Sequence, residues 1–153
     1  MIDGEYTIMS LQVSLDLGIH GVSSLWDLLT ALKRCGWSWC NSEGKVEYLP
    51  LHDEDRCDWQ IRVMDDAAVM DLVVQKEALH EPVGIHLFTK ENIGVSLSAE
   101  NVHTVCFLLS INRVTLGDSH RIGMTDVNWY IKHLVGKLVE HGVAVESIEF
   151  SEF

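Results

Sequence analysis

The chain reads as an α+β fold: a mixed or mainly antiparallel sheet of about six to eight strands, with two or three helices packed on one face. Three observations carry that reading. Met9, Leu11, Val13, Leu15 and Leu17 alternate with polar residues, the period of a strand that buries one face. Val127, Tyr130, Ile131, Leu134, Val135 and Leu138 recur at helical spacing before Gly142. Between these ends lie several short alternating or apolar runs joined by turn residues, and hairpins join strands in antiparallel fashion.

In chain order, the first strand is broken by Gly18 and Gly21. Ser24 and Asp27 then offer a carboxylate version of the capping box to a helix bearing Leu25, Leu28, Leu29, Leu32 and Cys35, and Gly36 stops it. Trp37–Cys40 and Val46–Leu49 flank Asn41-Ser-Glu-Gly-Lys45, whose Asn and Gly tolerate positive φ, so a hairpin is expected. After a polar loop from Pro50 to Asp58, Cys57, Trp59, Ile61 and Val63 alternate as a short strand. Residues 65–80 are read as helix, because Asp65-Asp66 suits a helix start and no Gly or Pro intervenes before Pro82. The β-branched Val69, Val73 and Val74 favour strand instead, and the apolar residues form no clean stripe. Val83–Phe88 and Ile93–Leu97 make a hairpin around Lys90-Glu91-Asn92. Val105–Ile111, apolar on both faces, is expected at the centre of the sheet. Thr125 is placed to cap the last helix. Val143, Val145, Ile148 and Phe150 close the chain as a strand with a bulge or bend between Val145 and Ile148, where the alternation slips by one residue.

A chain of 153 residues, 47% hydrophobic and with mean hydropathy +0.11, supports one core, so residues 1–153 are read as a single globular domain. The formal net charge is -12. Eleven acids against Lys45, Arg56, Arg62 and Lys76 put -7 of it in residues 41–82, while 83–125 balances. That charge repels phosphate backbones and anionic lipid, so neither nucleic acid nor membrane is expected as a partner. With no basic n-region, no apolar leader and no membrane-length run, a cytoplasmic location is expected. The four cysteines are read as free thiols.

Several constellations invite chemistry and are outweighed. Cys35, Cys40, His52 and Cys57 are zinc-type ligands, but they lack the tight knuckle spacing, and Cys35 falls on a helix's apolar stripe. His52-Asp53-Glu54-Asp55 with Asp58 gathers carboxylates without the glycine and closing glutamate of a calcium loop. Cys106 lies inside a core strand, and Cys57 sits between Asp55 and Asp58, which oppose a thiolate. There is no G-x-S-x-G, G-x-G-x-x-G or P-loop. No catalytic residue, metal site or cofactor is therefore assigned.

Two groups of residues remain as candidates. On an ideal last helix Trp129 and Gly136 fall opposite the apolar stripe, beside His133 and Glu140, which makes an aromatic contact surface. Asp53, Glu54 and Asp55 would add an acidic one. Trp37, Trp39, Trp59 and His86 are candidates for a cavity, with His86 set between Ile85 and Leu87 on a strand. In size, acidity and want of catalytic motifs the chain is similar in type to small bacterial immunity or antitoxin proteins, a likeness that rests on no specific motif. The leading expectation is a non-catalytic binding module for a basic protein partner. The alternatives are a small-molecule-binding protein or enzyme with a pocket between helix and sheet, and a homodimer formed through the Trp129 face or a sheet edge.

Overall fold

A computed structural model describes residues 12–53, 57–117 and 123–152. Met9 and Leu11 of the first strand, and Glu54 and Asp55 of the acidic loop, lie outside them. Seven strands form one antiparallel sheet in the order β3-β2-β4-β5-β6-β1-β7, curled into a half-barrel and accompanied by three helices. They are β1 (Val13–His20), β2 (Val46–Tyr48), β3 (Gln60–Arg62), β4 (Val83–Phe88), β5 (Gly94–Ala99), β6 (Thr104–Ile111) and β7 (Ala144–Glu152). The helices are α1 (Leu25–Arg34), α2 (Asp66–Ala78) and a last helix in three parts: α3 (Val127–Tyr130), a π turn (Ile131–Val135) and α4 (Gly136–Glu140).

Alternation decides what each strand buries. Val13, Leu15, Leu17 and Ile19 of β1 meet Val83, Ile85 and Leu87 of β4, Val95 and Leu97 of β5, and Val105, Phe107 and Leu109 of β6 in one core. Leu25, Leu28, Leu29 and Leu32 of α1, Val69 and Val73 of α2, and Tyr130, Leu134 and Leu138 of the last helix pack into the same core. Each such leucine, taken wholly out of water, contributes about 1.5–3 kcal/mol. β6 is an interior strand between β5 and β1, but its burial is one-sided, with Thr104, Leu108 and Ser110 exposed.

The helix ends follow local chemistry. The Ser24 hydroxyl accepts from the Asp27 backbone N–H at 3.1 Å, and Gly36 leaves α1 at φ +99°. Residues 65–80 do form a helix: Asp65 caps α2 by accepting from the Ala68 N–H at 2.8 Å. The missing stripe is explained by what α2 buries, which is Val69, Val73 and the stem of Lys76. The Lys76 ammonium donates to the Pro82 carbonyl at 2.9 Å; burial pushes its pKa down, while Glu81 and Asp53 hold it up.

Three expectations are corrected. Gly18 does not break β1 but lies within it, where the Ser147 side chain of β7 occupies the space a Cβ would need; the turn comes at Gly21, φ +80°. The strand after the polar loop is shorter than its alternation suggests, spanning only β3. Thr125 does not cap the last helix. Asp126 does, accepting from the Trp129 N–H at 3.1 Å, because the Thr125 hydroxyl is taken by Arg113 and Glu152. The bulge in β7 falls as expected: Gly18 pairs with Ser147 and Ile19 with Val145, leaving Glu146 as the extra residue. Among the described residues, no helix is long and apolar enough to cross a membrane.

Candidate functional site

At one end of the sheet, the close of α1, the segment 36–42, the β4–β5 turn and the last helix surround a cavity of about 680 Å³. That falls within the roughly 300–1,000 Å³ of small-molecule sites. Its walls include Trp37, Phe88, Trp129 and His133. Segment 36–42 is brought there by its own geometry. The Asn41 side chain accepts from the Glu43 and Lys45 N–H groups at 2.9 and 3.0 Å, which reverses the chain. Ser38 then pairs with Phe88 and Cys40 with Val46, so the segment extends the sheet beside β4.

The π turn sets the opposite wall. Residues four apart on a regular α-helix drift by about 40°, since each residue advances about 100°. A turn closed by an i→i+5 bond takes up that excess. Here the Gly136 N–H donates to the Ile131 carbonyl, and Trp129, His133 and Lys137 all face the cavity. Two carbonyls of this last helix also accept from side chains. His133 Nδ1–H donates to the Trp129 carbonyl at 2.9 Å, and Trp37 Nε1–H donates to the His133 carbonyl at 3.0 Å. The His133 ring consequently lies nearly parallel to Trp129, 4.3 Å away at 17°, with Trp37 edge-on to Trp129 at 6.2 Å and 81°. Because Nδ1 carries the hydrogen, Nε2 is the ring atom left without a partner among the described residues.

Charge at the cavity is opposite to that of the chain. Lys33, Lys90 and Lys137 line it, against Glu91. Lys33 is held 3.0 Å from Asp66 and 4.5 Å from the centre of the Trp39 ring. Its hydrogen bond, with a further one from Trp39, keeps the Asp66 carboxyl below the ordinary aspartate range. Lys137 lies 3.6 Å from Glu140, and Lys90 has no ion-pair partner among the described residues. Of the two thiols on the wall, Cys35 is pushed up by burial, with Arg34 and Lys137 opposing, and its sulfur lies 3.5 Å from His141 Nδ1.

The structure redistributes the residues singled out from sequence. Trp37, read as part of one group, and Trp129 and His133, read as part of another, share this cavity. Trp39 does not join them; it is buried against Trp26 at 5.2 Å, with its N–H on Asp66 at 3.1 Å. Trp59 and His86 stack on each other at 4.2 Å on the sheet face turned away from the core, because His86 alternates with Ile85 and Leu87; His86 lies edge-on to Phe88 of the cavity wall at 6.3 Å but does not line the cavity. There Glu47 Oε1 is 3.1 Å from His86 Nδ1. A single cavity of Trp37, Trp39, Trp59 and His86 therefore does not form.

Nor does the outward Trp129 surface. Trp129 is half-buried against the core, Glu140 is exposed, and Gly136 closes the π turn, where a Cβ would stand 3.3 Å from the Ile131 carbonyl oxygen. In the acidic loop, Asp53 accepts from the Asp58 N–H at 3.0 Å, and His52 lies 3.3 Å from Glu81. Among the described residues, no three His, Cys, Asp or Glu side chains are placed to share a metal ion. Cys106 pairs across the sheet with Asp16; burial, and then its bond to that carboxylate, push the thiol up to about 12.

Lys90, Lys137 and Phe88 were missed. The signal for Lys137 was present in the four-residue spacing Trp129, His133, Lys137, which an ideal helix disguises. Lys90 carries no comparable mark, because only the tertiary fold brings the β4–β5 turn to the last helix. Comparison with known proteins finds no matching family model, no matching curated protein and no matching solved structure.

Proposed function

We propose that this is a small-molecule-binding protein whose ligand occupies the cavity between the last helix, segment 36–42 and the β4–β5 turn. The observation that carries the reading is the Trp129–His133 stack, fixed by hydrogen bonds to two backbone carbonyls and flanked by Trp37. Aromatic walls immobilised before a ligand arrives lose little further entropy on binding, which favours affinity for a flat, apolar body. Burial pushes the Cys35 thiol on the wall up, which disfavours its thiolate as a nucleophile. The basic protein partner expected from net charge rests on that charge alone.

A thermal-denaturation screen against mono- and bicyclic aromatic compounds tests the proposal. A ligand at 100 times its Kd adds about 2.7 kcal/mol, which for a domain this size is a rise of roughly 5–10 °C. Trp129→Ala should weaken binding by about tenfold or more. Ser42→Trp, at an exposed position on the cavity wall, should block it without touching the core. If no compound stabilises the protein, or if Ser42→Trp leaves the shifts intact, the reading is wrong.

A further inference from the structure

The charge around the cavity specifies what the ligand carries. In a chain with 11 Lys and Arg against 23 Asp and Glu, three lysines and one glutamate line this cavity. Lys33 and Lys137 each have a carboxylate beside them, Asp66 and Glu140, but on the wall itself Glu91 is the one carboxylate.

Each lysine can be weighed separately. Lys33 is already engaged by Asp66 and the Trp39 ring, and it stands in the last turn of α1, where a cation offsets the carbonyl end of the helix. It is committed to the fold. Lys137 stands in the last turn of α4 in the same way, but its partner Glu140 is largely exposed, and exposed pairs are worth about 0–1 kcal/mol. It can turn to a better partner at little cost. Lys90, on the β4–β5 turn, has neither a helix end to serve nor an ion-pair partner among the described residues. Its ammonium is available.

We infer that the ligand is an aromatic anion, its ring against Trp129 and His133, which Trp37 backs from the core, and its acidic group met by Lys90 and Lys137. This rests on the small-molecule reading above and narrows it. A carboxylate and a phosphate ester would both satisfy two ammonium donors, whereas a cationic ligand would set like charges together and be rejected.

Calorimetric titration of the full chain with probes sharing one ring system tests the inference: 2-naphthoate, 2-naphthyl phosphate, neutral 2-naphthamide and 2-naphthylmethylammonium. At fixed salt the anions should bind about tenfold or more tighter than the amide, with the cation weakest. The ratio of naphthoate to naphthyl phosphate then identifies which acid group the site prefers. Lys90→Gln should weaken naphthoate by about tenfold, leave the amide unchanged and leave the melting temperature unmoved; Lys137→Gln should act on the two probes in the same way. Equal binding of anion and amide, or naphthoate affinity indifferent to Lys90→Gln, would overturn the inference and leave the cavity reading standing. Failure of all four probes to bind would overturn both.

Discussion

Thr125 illustrates how one hydroxyl can override a local pattern. Thr125 and Asp126 are both good capping residues, and a sequence window cannot choose between them. The choice is made by residues far along the chain: Glu152 accepts from the Thr125 N–H at 3.0 Å and from its hydroxyl at 2.5 Å, while Arg113 donates to the same hydroxyl at 2.7 Å. The Thr125 hydroxyl is the main reason that the Glu152 carboxyl lies below the ordinary glutamate range. Thr125→Val keeps the shape and removes these bonds, and should cost about 1–2 kcal/mol at pH 7. A carboxyl depressed in the folded state stabilises above its unfolded pKa, about 4.3 for Glu, and loses that contribution as pH falls through the lower folded value. Urea titrations should therefore find the gap between wild type and variant narrower at pH 3 than at pH 7. An equal gap at both would mean that the Thr125–Glu152 bond does not set the carboxyl's pKa.

Among the elements, β4 offers a clear test of packing. A Cβ on Gly84 would come within 2.8 Å of Leu49 Cγ, so the glycine is required by the loop that crosses it. Gly84→Ala should destabilise by about 1–3 kcal/mol through overpacking. Adding Leu49→Ala should recover part of that loss, so the double variant costs less than the two singles together. Denaturant midpoints of the four proteins measure the coupling, and strict additivity would refute the contact. Elements of this kind were legible in the sequence to very different degrees. β1, α1, the β4–β5 hairpin and the bulge at Glu146 could be read because their signals, alternation, caps and turn residues, are local. The π turn could not, because apolar Tyr130, Leu134 and Leu138, four residues apart, fall on one face whether Ile131–Val135 closes by i→i+4 or i→i+5 bonds. Trp129 and His133 were recognised as a pair, but projecting them on an ideal helix sent them outward. The cavity was illegible for a related reason: its walls come from four segments that only the tertiary fold gathers.

Over the whole molecule, the net charge of -12 is unevenly placed, and its repulsion opposes the compact state. Raising salt from about 10 mM to 150 mM shortens the screening length from about 30 Å to about 8 Å. The melting temperature should rise with it, by roughly 2–4 °C for each kcal/mol of repulsion relieved. A flat profile in calorimetry would show the acids to be locally compensated. The same charge bears on association. β7 is a nine-residue edge strand with Glu146 and Glu149 exposed, and acids at such an edge oppose its pairing with a second copy of itself.

The place of β1 has a consequence for the order in which the chain can be finished. Its neighbours are β6 and β7, so both partners of the earliest described strand are among the last to be synthesised. Roughly 80 residues separate His20 from Thr104, which at about 5–20 residues per second is on the order of 4–16 s of translation. For that interval both edges of β1 lack the strands that pair them, a template for stray strands. The nascent β1 is therefore more open to stray pairing than β1 of the mature fold, which has a neighbour on each edge.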